Sequence, residues 1–444
     1  MGRVIDVPTT RREFLTLSAL AVGAGLGLAA CASATPLASS GPPLSGEYDG
    51  PPVQIEYWNG FTGGDGPAMR QLVADFNKSQ DLITVRMNVV QWAQYYQRVV
   101  AAVHAGKGPD VGAMHVEQLA TQASRQTIAP LDDILDEIGV SAEQYPHEVW
   151  ERGVFGDHRY GVPLDVHSLA SYANTDLVAK GGGNPTPATR QDLEASISAL
   201  MSAGVKTPFW VPNRWPAHLI FLSLLWQFGG EPYSEDGSKA TFDSDAGIAA
   251  LSWLTGLIQS GVSPKNVAPD SQYTAFKGGQ GAYTWDGIWQ INDLKSTAPD
   301  LPWTMSALPT IGDTPAVWAN SHQLVLFKNR SPNDDRILAS KAFLRFLIDN
   351  SEAWSGSGLI PARSEARKTP EFLKSPQAVL EPAVPTMRFL PPVPALGEVQ
   401  AQTLEIALAD AILGRQSPEA ALRGNASKAT QLMQANLKKF EVKS

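Results

Sequence analysis

Cysteine is almost absent from this sequence, because its 444 residues contain only one, Cys31. A single thiol excludes a disulfide within the chain, so folding must be stabilised mainly by buried apolar surface. The zinc motif HExxH, the phosphate-binding loop GxxxxGK[ST] and a GxGxxG motif after a strand are also missing. These absences argue against a zinc protease of that type and against ATP hydrolysis by this chain.

Basic residues and histidine are scarce as well. Lysine and arginine number 35 against 44 aspartates and glutamates, which gives a net charge of −9 and argues against nucleic-acid binding. A composition of 43% hydrophobic and 18% charged residues is typical of a soluble globular protein. The seven histidines are scattered along the chain, so we predict no metal site and no cofactor; they lie at positions 104, 115, 147, 158, 167, 218 and 322.

The N-terminus has the pattern of an export signal. Arg11 and Arg12 precede an apolar run over residues 15–30 that is too short and too rich in alanine and glycine for a stable membrane span. The run ends in Leu28-Ala29-Ala30-Cys31, which is typical of a bacterial lipobox; an ordinary buried thiol is the less favoured alternative. We predict a twin-arginine lipoprotein signal peptide over residues 1–30, a lipidated Cys31, and a flexible tether over residues 31–52.

Strand and helix patterns alternate after the tether. A period-2 run predicts a strand over residues 53–58, and apolar residues at helix spacing predict a helix over 69–76. Strands are predicted at 83–90 and 110–114, and helices at 92–104, 191–203, 217–228, 246–260, 335–349 and 400–413. This alternation predicts an α/β fold with a mostly parallel sheet, and the roughly 390 residues after the tether predict two lobes.

Short motifs in a fixed order carry a resemblance that extends over essentially the whole chain after the signal. They are Tyr57-Trp58-Asn59-Gly60, Gly106-Lys107-Gly108-Pro109-Asp110-Val111, Tyr160-Gly161-Val162-Pro163-Leu164-Asp165, Tyr172-Ala173-Asn174-Thr175-Asp176-Leu177, Phe228-Gly229-Gly230, Gly281-Ala282-Tyr283-Thr284-Trp285-Asp286-Gly287-Ile288-Trp289, Ala307-Leu308-Pro309 and Leu359-Ile360-Pro361-Ala362-Arg363. With these motifs the chain resembles the extracellular solute-binding proteins of the carbohydrate-uptake ABC family, which includes maltose-binding protein.

The resemblance implies a periplasmic-binding-protein-like type II fold, in which two α/β lobes are joined by a hinge and enclose a ligand cleft. The first lobe would comprise residues 53–172 plus 306–355, and the second 173–305 plus 356–444. Segments 172–177 and 307–309 would cross between them. Solute would bind the closed state more tightly and so shift the population toward closure, with no bond made or broken.

The resemblance also implies a function. The chain would be the substrate-binding lipoprotein of an ABC importer, anchored at the outer face of the cytoplasmic membrane. It would capture a sugar or amino sugar as a monomer and deliver it to a membrane permease, while partner subunits hydrolyse ATP. It would not be an enzyme.

Sugar recognition needs aromatic rings for the apolar sugar faces and amides or carboxylates for the hydroxyls. In the first lobe the predicted ligand-binding residues are Trp58, Thr62, Gly63, Asp65, Gln94, Tyr95, His115, Glu117, Asp165 and His167. By resemblance, Glu117 occupies the position of an acidic sugar ligand. Three alternatives stay open: Asp65 as a helix N-cap, His115 as a surface histidine, and Asp165 as a brace of the hinge.

In the second lobe and near the returning segment, the predicted ligand-binding residues are Trp215, Trp285, Asp286, Gly287, Trp289, Trp318, Asn320, Ser321 and Arg363. By resemblance, Trp289 aligns with an aromatic ring that stacks on sugar. Core packing is the alternative for this segment, and the adjoining Asp286 and Gly287 argue against it. Trp226, in an apolar helix, is expected in the core, and Arg363 could offer a fork of donors.

Other functions remain as alternatives. Paired carboxylates in a carbohydrate cleft could hydrolyse glycosides, so a secreted carbohydrate-active enzyme is one of them. A binding protein for a glycerophosphodiester or sugar phosphate is another, with Arg363 as the anion partner. The acidic excess in the predicted cleft favours sugars and amino sugars.

Overall fold

A computed structural model describes residues 48–328 and 333–440, so the predicted signal peptide, Cys31 and most of the tether lie outside the described residues. The strands in these ranges are β1 (Val53–Asn59), β2 (Ile83–Val89), β3 (Val111–His115), β4 (Val154–Phe155), β5 (His158–Arg159), β6 (Val162–Pro163), β7 (Asp165–Asn174), β8 (Tyr283–Gly287), β9 (Trp303–Ser306), β10 (Val317–Asn320), β11 (His322–Leu326), β12 (Ile360–Pro361) and β13 (Met387–Arg388). The helices in the same ranges are α1 (Gly66–Ser79), α2 (Trp92–His104), α3 (Val116–Ser124), α4 (Asp132–Glu137), α5 (His147–Trp150), α6 (Thr175–Gly181), α7 (Arg190–Ser202), α8 (Ala217–Gln227), α9 (Asp245–Gln259), α10 (Ser271–Lys277), α11 (Ile291–Thr297), α12 (Asp334–Asp349), α13 (Pro370–Leu373), α14 (Leu396–Gln402), α15 (Leu404–Ile412) and α16 (Pro418–Lys439).

Five strands form the first sheet, in the order β2-β1-β3-β11-β6. β1 shows the expected alternation because Ile55 and Tyr57 are fully buried, and it pairs in parallel with β2 and β3. β11 runs antiparallel to β3 and β6, so the prediction of a mostly parallel sheet is wrong and the sheet is mixed. The chain enters β11 from β10 of the second sheet, which sets its opposite direction.

β7 is the long central strand of the second sheet, and all ten of its residues are buried. Its first residues pair with β12 and β10, and its later residues pair with β8 and β9. β6 and β11 belong to the first sheet, whereas β7 and β10 belong to the second. The chain therefore passes between the sheets at Leu164 and Ser321, and the Leu164 N–H donates to the His322 carbonyl at 2.8 Å beside these passages. The lobe boundaries given above stay predictions.

Helices cover the second sheet. α8 is buried on every side, as its nearly continuous apolar sequence demands, and it packs against α9, α15 and β10. Trp226 in α8 is 4% exposed, which confirms its expected place in the core. Among the described residues, no helix combines the length and apolar character needed to span a membrane.

The predicted helix over residues 400–413 is wrong in its boundaries, because the structure has two helices, α14 and α15, separated at Thr403. Thr403 has φ −136° and ψ −76°, which no α-helix accommodates. Its hydroxyl donates to the Val399 carbonyl at 2.6 Å and so competes with the backbone pattern. Because the apolar periodicity continues across the break, it predicts a single helix.

Candidate functional site

Asp165, the first residue of β7, is the centre of the candidate site and is fully buried. Its Oδ1 lies 2.9 Å from His167 Nδ1 and accepts the backbone N–H of His322 at 3.0 Å. Its Oδ2 lies 2.8 Å from His322 Nδ1 and accepts the indole N–H of Trp354 at 2.8 Å. These contacts join β7, β11 and the helical turn over Ser351–Ser357, which favours the hinge-bracing alternative for Asp165.

The electrostatics of Asp165 follow from these contacts. Burial by itself raises the pKa of a carboxyl group, but His322 and His167 outweigh it and hold the pKa of Asp165 well below its usual range. Asp165 is therefore a carboxylate at neutral pH.

Three of the seven histidines lie close together here, and two of them, His167 and His322, contact this carboxylate. His115 ends β3 and lies opposite His322 in the β3–β11 register, and His167 lies on β7. One ring nitrogen from each histidine lies within 4.8 Å of the other two. The histidines are scattered in the sequence, but these three lie together in the folded chain, so the interpretation of all seven as scattered is wrong. Among the described residues this trio could hold a metal ion. Burial lowers the pKa of His115 and of His167.

One face of α2 packs against the histidines. Trp92 stacks on His322 with ring centroids 5.3 Å apart and meets His115 at 4.5 Å. The Tyr96 hydroxyl lies 2.6 Å from His115 Nδ1 and also accepts the His115 backbone N–H at 3.0 Å. Trp92 and Tyr96 are not among the ligand-binding residues predicted from the sequence, although their i, i+4 spacing places them on the same helix face.

The residues predicted on α2 lie elsewhere. Tyr95 is fully buried in an apolar cluster with Val99 and Phe327, and Gln94 is exposed. Trp58 is half-buried and packs against the same apolar cluster. Neither Tyr95 nor Gln94 is among the residues in contact with the histidines, because they point to other sides of the helix than Trp92 and Tyr96 do.

Three tryptophans, which we name the tryptophan cluster, lie beside His167. The Trp289 ring centroid lies 6.1 Å from that of Trp215, 6.2 Å from that of Trp318 and 5.9 Å from that of His167. Trp215 is 40% exposed, so part of its indole can meet a ligand, whereas Trp318 is buried. Gly287 permits this packing, since a Cβ at that position would lie 2.1 Å from the Trp289 ring.

Trp285 lies in the core and not in the tryptophan cluster. It is 1% exposed, stacks on Trp253 at 5.7 Å and meets Phe209 edge-on at 5.1 Å. The structure thus shows core packing for Trp285. We had expected the adjoining Asp286 and Gly287 to argue against this alternative. Alternate residues of a strand face opposite sides, so polar neighbours of Trp285 do not report its own surroundings.

Asp286 is fully buried and surrounded by amides. It accepts from the Gly287 backbone N–H at 2.7 Å, from Gln272 Nε2 at 3.1 Å and from Gln290 Nε2 at 3.3 Å. Burial raises the pKa of Asp286 to about 7, and these hydrogen bonds oppose the shift only in part. These contacts of Asp286 are all with other protein groups. The Gly287 carbonyl also bonds within the protein, because it accepts a hydrogen bond from the Tyr172 hydroxyl at 2.9 Å.

The loop between β1 and α1 reaches across to α11. Thr62 and Gly63 in this loop are exposed. Asn292 Nδ2 of α11 donates to the Gly64 carbonyl at 2.9 Å. Asp65 occupies the N-cap position of α1, but its side chain makes no capping hydrogen bond in the described residues. Its buried Oδ1 has no hydrogen-bond partner in the described residues, and burial raises its pKa.

Glu117 and Asn320 form a polar pair near His115. Burial raises the pKa of Glu117 to about 7, against the opposing effect of a hydrogen bond with the Asn320 side chain. Ser321, next to Asn320, is fully buried, and its hydroxyl accepts from Gln323 Nε2 at 2.8 Å. Glu117 is half-buried, so it is the more accessible of these predicted residues.

Arg363 is engaged by neighbouring protein groups. Its Nη1 donates to the Ile348 carbonyl at 3.1 Å and lies 3.6 Å from the Asp349 carboxylate. A phosphate that approached Nη1 would have to compete with both contacts. Arg363 is therefore not a free fork of donors.

An open groove of about 860 Å³ lies between α7 and α9, away from these residues. Met201, Trp253 and Leu257 are among the residues that line it. None of the residues predicted to bind ligand lines this groove, and we therefore keep the candidate site at the histidines and the tryptophan cluster.

Known proteins resemble this chain in sequence and in fold. Residues 71–379 match the family model described as bacterial extracellular solute-binding protein. The chain belongs to this family. A binding protein of Brucella abortus is 23% identical over 377 residues, which cover 83% of this chain and 90% of that protein. The sn-glycerol-3-phosphate-binding periplasmic protein of Escherichia coli K12 is 24% identical over 159 residues, 34% of this chain and 36% of that protein.

Among solved structures, the sugar-binding protein MalE from Xanthomonas citri superimposes with a TM-score of 0.76 at 20% identity. The match covers 88% of this chain and 100% of that one. This likeness confirms the predicted α/β fold of the periplasmic-binding-protein-like type II class, with two lobes. As a member of the extracellular solute-binding family, the chain has an extracytoplasmic location.

Proposed function

We propose that this solute-binding protein captures a sugar or amino sugar in the cleft between its lobes and delivers it to the permease of an ABC importer. The observation that carries the proposal is the tryptophan cluster, in which the half-buried Trp289 and the exposed Trp215 lie side by side. Indole faces are suited to the apolar C–H faces of a sugar ring. The sugar-binding protein from Xanthomonas citri, with which the whole fold is shared, supports the same choice of solute.

The polar pair near His115 is the second part of the proposed binding site. Glu117 and Asn320 can bind hydroxyls, and Glu117 would also suit an ammonium group. The Escherichia coli relative binds glycerol 3-phosphate, but Arg363 in this chain is engaged by Asp349 and Ile348. These contacts favour sugars and amino sugars over phosphate esters.

The proposal includes that the bound solute is not hydrolysed. A glycoside hydrolase needs a carboxylic acid and a carboxylate that reach the glycosidic bond. Asp165 is held by two imidazoles, an indole N–H and a backbone N–H, and Asp286 is buried among amides. Release of reducing sugar from a bound oligosaccharide would overturn this part.

The test is a thermal-shift screen with sugars, amino sugars and glycerophosphodiesters. A ligand at 100 times its Kd stabilises the folded state by about 2.7 kcal/mol, which raises Tm measurably. Trp289→Ala should weaken binding of the active compound about tenfold or more, while Trp303→Ala, a half-buried tryptophan beside Tyr172, should leave the affinity unchanged. Equal affinity of Trp289→Ala and the parent, or a response to glycerophosphodiesters alone, would contradict the proposal.

Anchoring completes the proposed function. Arg11, Arg12 and the lipobox at Cys31 support export by the twin-arginine route and acylation of the Cys31 thiol. Cys31→Ser should move the protein from the membrane fraction to the soluble extracytoplasmic fraction, since the thiol that carries the lipid is lost. Membrane association that is unchanged in Cys31→Ser would count against the anchor, and the solute screen would be unaffected by that outcome.

A further inference from the structure

The hydrogen bonds of the histidine trio engage one nitrogen of each ring, Nδ1. Nδ1 of His167 and of His322 face Asp165, and Nδ1 of His115 faces the Tyr96 hydroxyl. The remaining nitrogen is Nε2 in each ring. His322 Nε2 is buried and has no hydrogen-bond partner in the part of the chain that the structure describes. An unpartnered polar atom in the interior is costly unless something binds it.

The three rings are mounted on strands and not on loops. His115 ends β3, His322 begins β11 directly opposite it, and His167 is the third residue of β7. One nitrogen from each ring lies within 4.8 Å of the others. Zinc bound to imidazoles at about 2.0–2.1 Å requires nitrogen–nitrogen separations of about 3.3 Å, so nitrogens 4.8 Å apart would have to approach each other by about 1.5 Å.

Asp165 supplies the hydrogen-bond partner that metal-binding histidines usually have at their second ring nitrogen. A histidine that binds a metal through one nitrogen commonly donates its other N–H to a carboxylate, which fixes the tautomer and the ring orientation. Asp165 meets the Nδ1 atoms of both His167 and His322 in this way. Tyr96 takes the corresponding place for His115.

Charge favours a cation at the same point. Asp165 is a fully buried carboxylate, and its contacts in the described residues include no lysine or arginine. A divalent ion would balance the buried negative charge.

We propose that the Nε2 atoms of His115, His167 and His322 bind a divalent transition-metal ion, with Zn²⁺ as the preferred ion. Three protein ligands leave a fourth position for water or for an oxygen of a solute. The site joins the first sheet to β7, where the chain passes between the sheets. The metal proposal does not depend on the proposed sugar, because none of the contacts that support it involves a solute.

The first test uses the protein without any bound metal. We would produce the chain without a polyhistidine tag, strip it with a chelator, and titrate it with Co²⁺ and then Zn²⁺. The expected result is one equivalent of Co²⁺ with the visible absorption of a tetrahedral site, displaced by one equivalent of Zn²⁺. Absence of both the absorption and stoichiometric zinc binding would overturn the proposal, and no variant has to fold for this result.

The second test uses matched histidine variants. His115→Gln should weaken zinc binding by at least about tenfold, measured by competition with a chromophoric chelator, because it removes one ligand. His104→Gln, an exposed histidine at the end of α2, should bind zinc like the parent protein. Circular dichroism confirms that each variant is folded. Equal zinc affinity of His115→Gln and His104→Gln would overturn the assignment.

Discussion

Asp165 and Asp286 are two fully buried carboxyl groups on neighbouring strands, β7 and β8. Their surroundings shift their pKa values in opposite directions. Asp165 meets two imidazoles, an indole N–H and a backbone N–H, and its pKa is held well below the usual range. Asp286 meets a backbone N–H and two glutamine amides, and burial raises its pKa to about 7. Burial alone therefore does not decide the charge of a carboxyl group; the kind of donor around it does.

The two regions also differ in reach. Asp165 connects residues that are far apart in the sequence, since His322 and Trp354 lie 157 and 189 positions away from it. The donors to Asp286 all lie within 14 positions. Asp165 is thus a tertiary brace, whereas Asp286 is a local polar group.

The largest expected effect in this comparison is that of Asp165→Asn. An asparagine offers one acceptor oxygen where four donors now meet a carboxylate, so several donors lose their partner inside the protein. We expect the free energy of unfolding at pH 7 to fall by about 3–5 kcal/mol, measured by denaturant titration. Because its pKa is depressed, Asp165 stabilises the fold above about pH 4 and loses this contribution below it.

Asp132→Asn is the matched control for Asp165→Asn. Asp132 also contacts a histidine, His158 at 3.1 Å, and accepts the Arg159 backbone N–H at 3.1 Å, but its side chain is 47% exposed. We expect its loss to cost less than about 1 kcal/mol. Equal costs for Asp132→Asn and Asp165→Asn would show that burial and donor number do not distinguish the two sites.

A smaller effect of opposite sign is expected for Asp286→Asn. The native pKa of Asp286, about 7, lies above the unfolded value of about 3.9, so the contribution of Asp286 to stability is greatest below about pH 4 and is lost as the pH rises to 7. The asparagine is neutral at every pH, and Gln272 Oε1, buried and unpartnered among the described residues, can accept its N–H after an amide flip. We expect a gain of up to about 4 kcal/mol at pH 8 relative to the wild-type protein.

The measurement is a pair of urea titrations of Asp286→Asn and the wild-type protein at pH 4 and pH 8. The two proteins should differ most at pH 8 and least at pH 4. A variant that is less stable than the wild-type protein at pH 8 would mean that Asp286 is ionised there at no net cost, and the contrast with Asp165 would disappear.

Much of the fold could be predicted from local patterns. The bounds of α2 agree with the apolar periodicity, and those of α7, α8, α9 and α12 differ from the prediction by a single residue at one or both ends, because each helix buries one or more sides of a regular repeat. The break at Thr403 was not predictable in this way, since one hydroxyl bond to Val399 interrupts an otherwise continuous pattern. The antiparallel entry of β11 depends on the path between the sheets, which no local pattern contains.

The candidate site was predictable only in part. Trp215, Trp289 and His167 do lie together, but Trp285, two residues before Gly287, is in the core. Helix and strand faces explain such differences, because neighbouring residues in an element point to different surroundings.

From the sequence alone we could predict the first three strands and most of the long helices, because each depends on residues that are close together in the chain. The family followed from short motifs in a fixed order along the chain, and the signal with its lipobox at Cys31 stays a prediction. The tertiary structure was needed to show that His115, His167 and His322 lie together and that two of them contact Asp165. The register of β3 with β11 and the course of β7 set that meeting, and both result from pairing between strands that are distant in sequence. Charge and metal-binding capacity at such a point are properties of the assembled strands and not of any one segment.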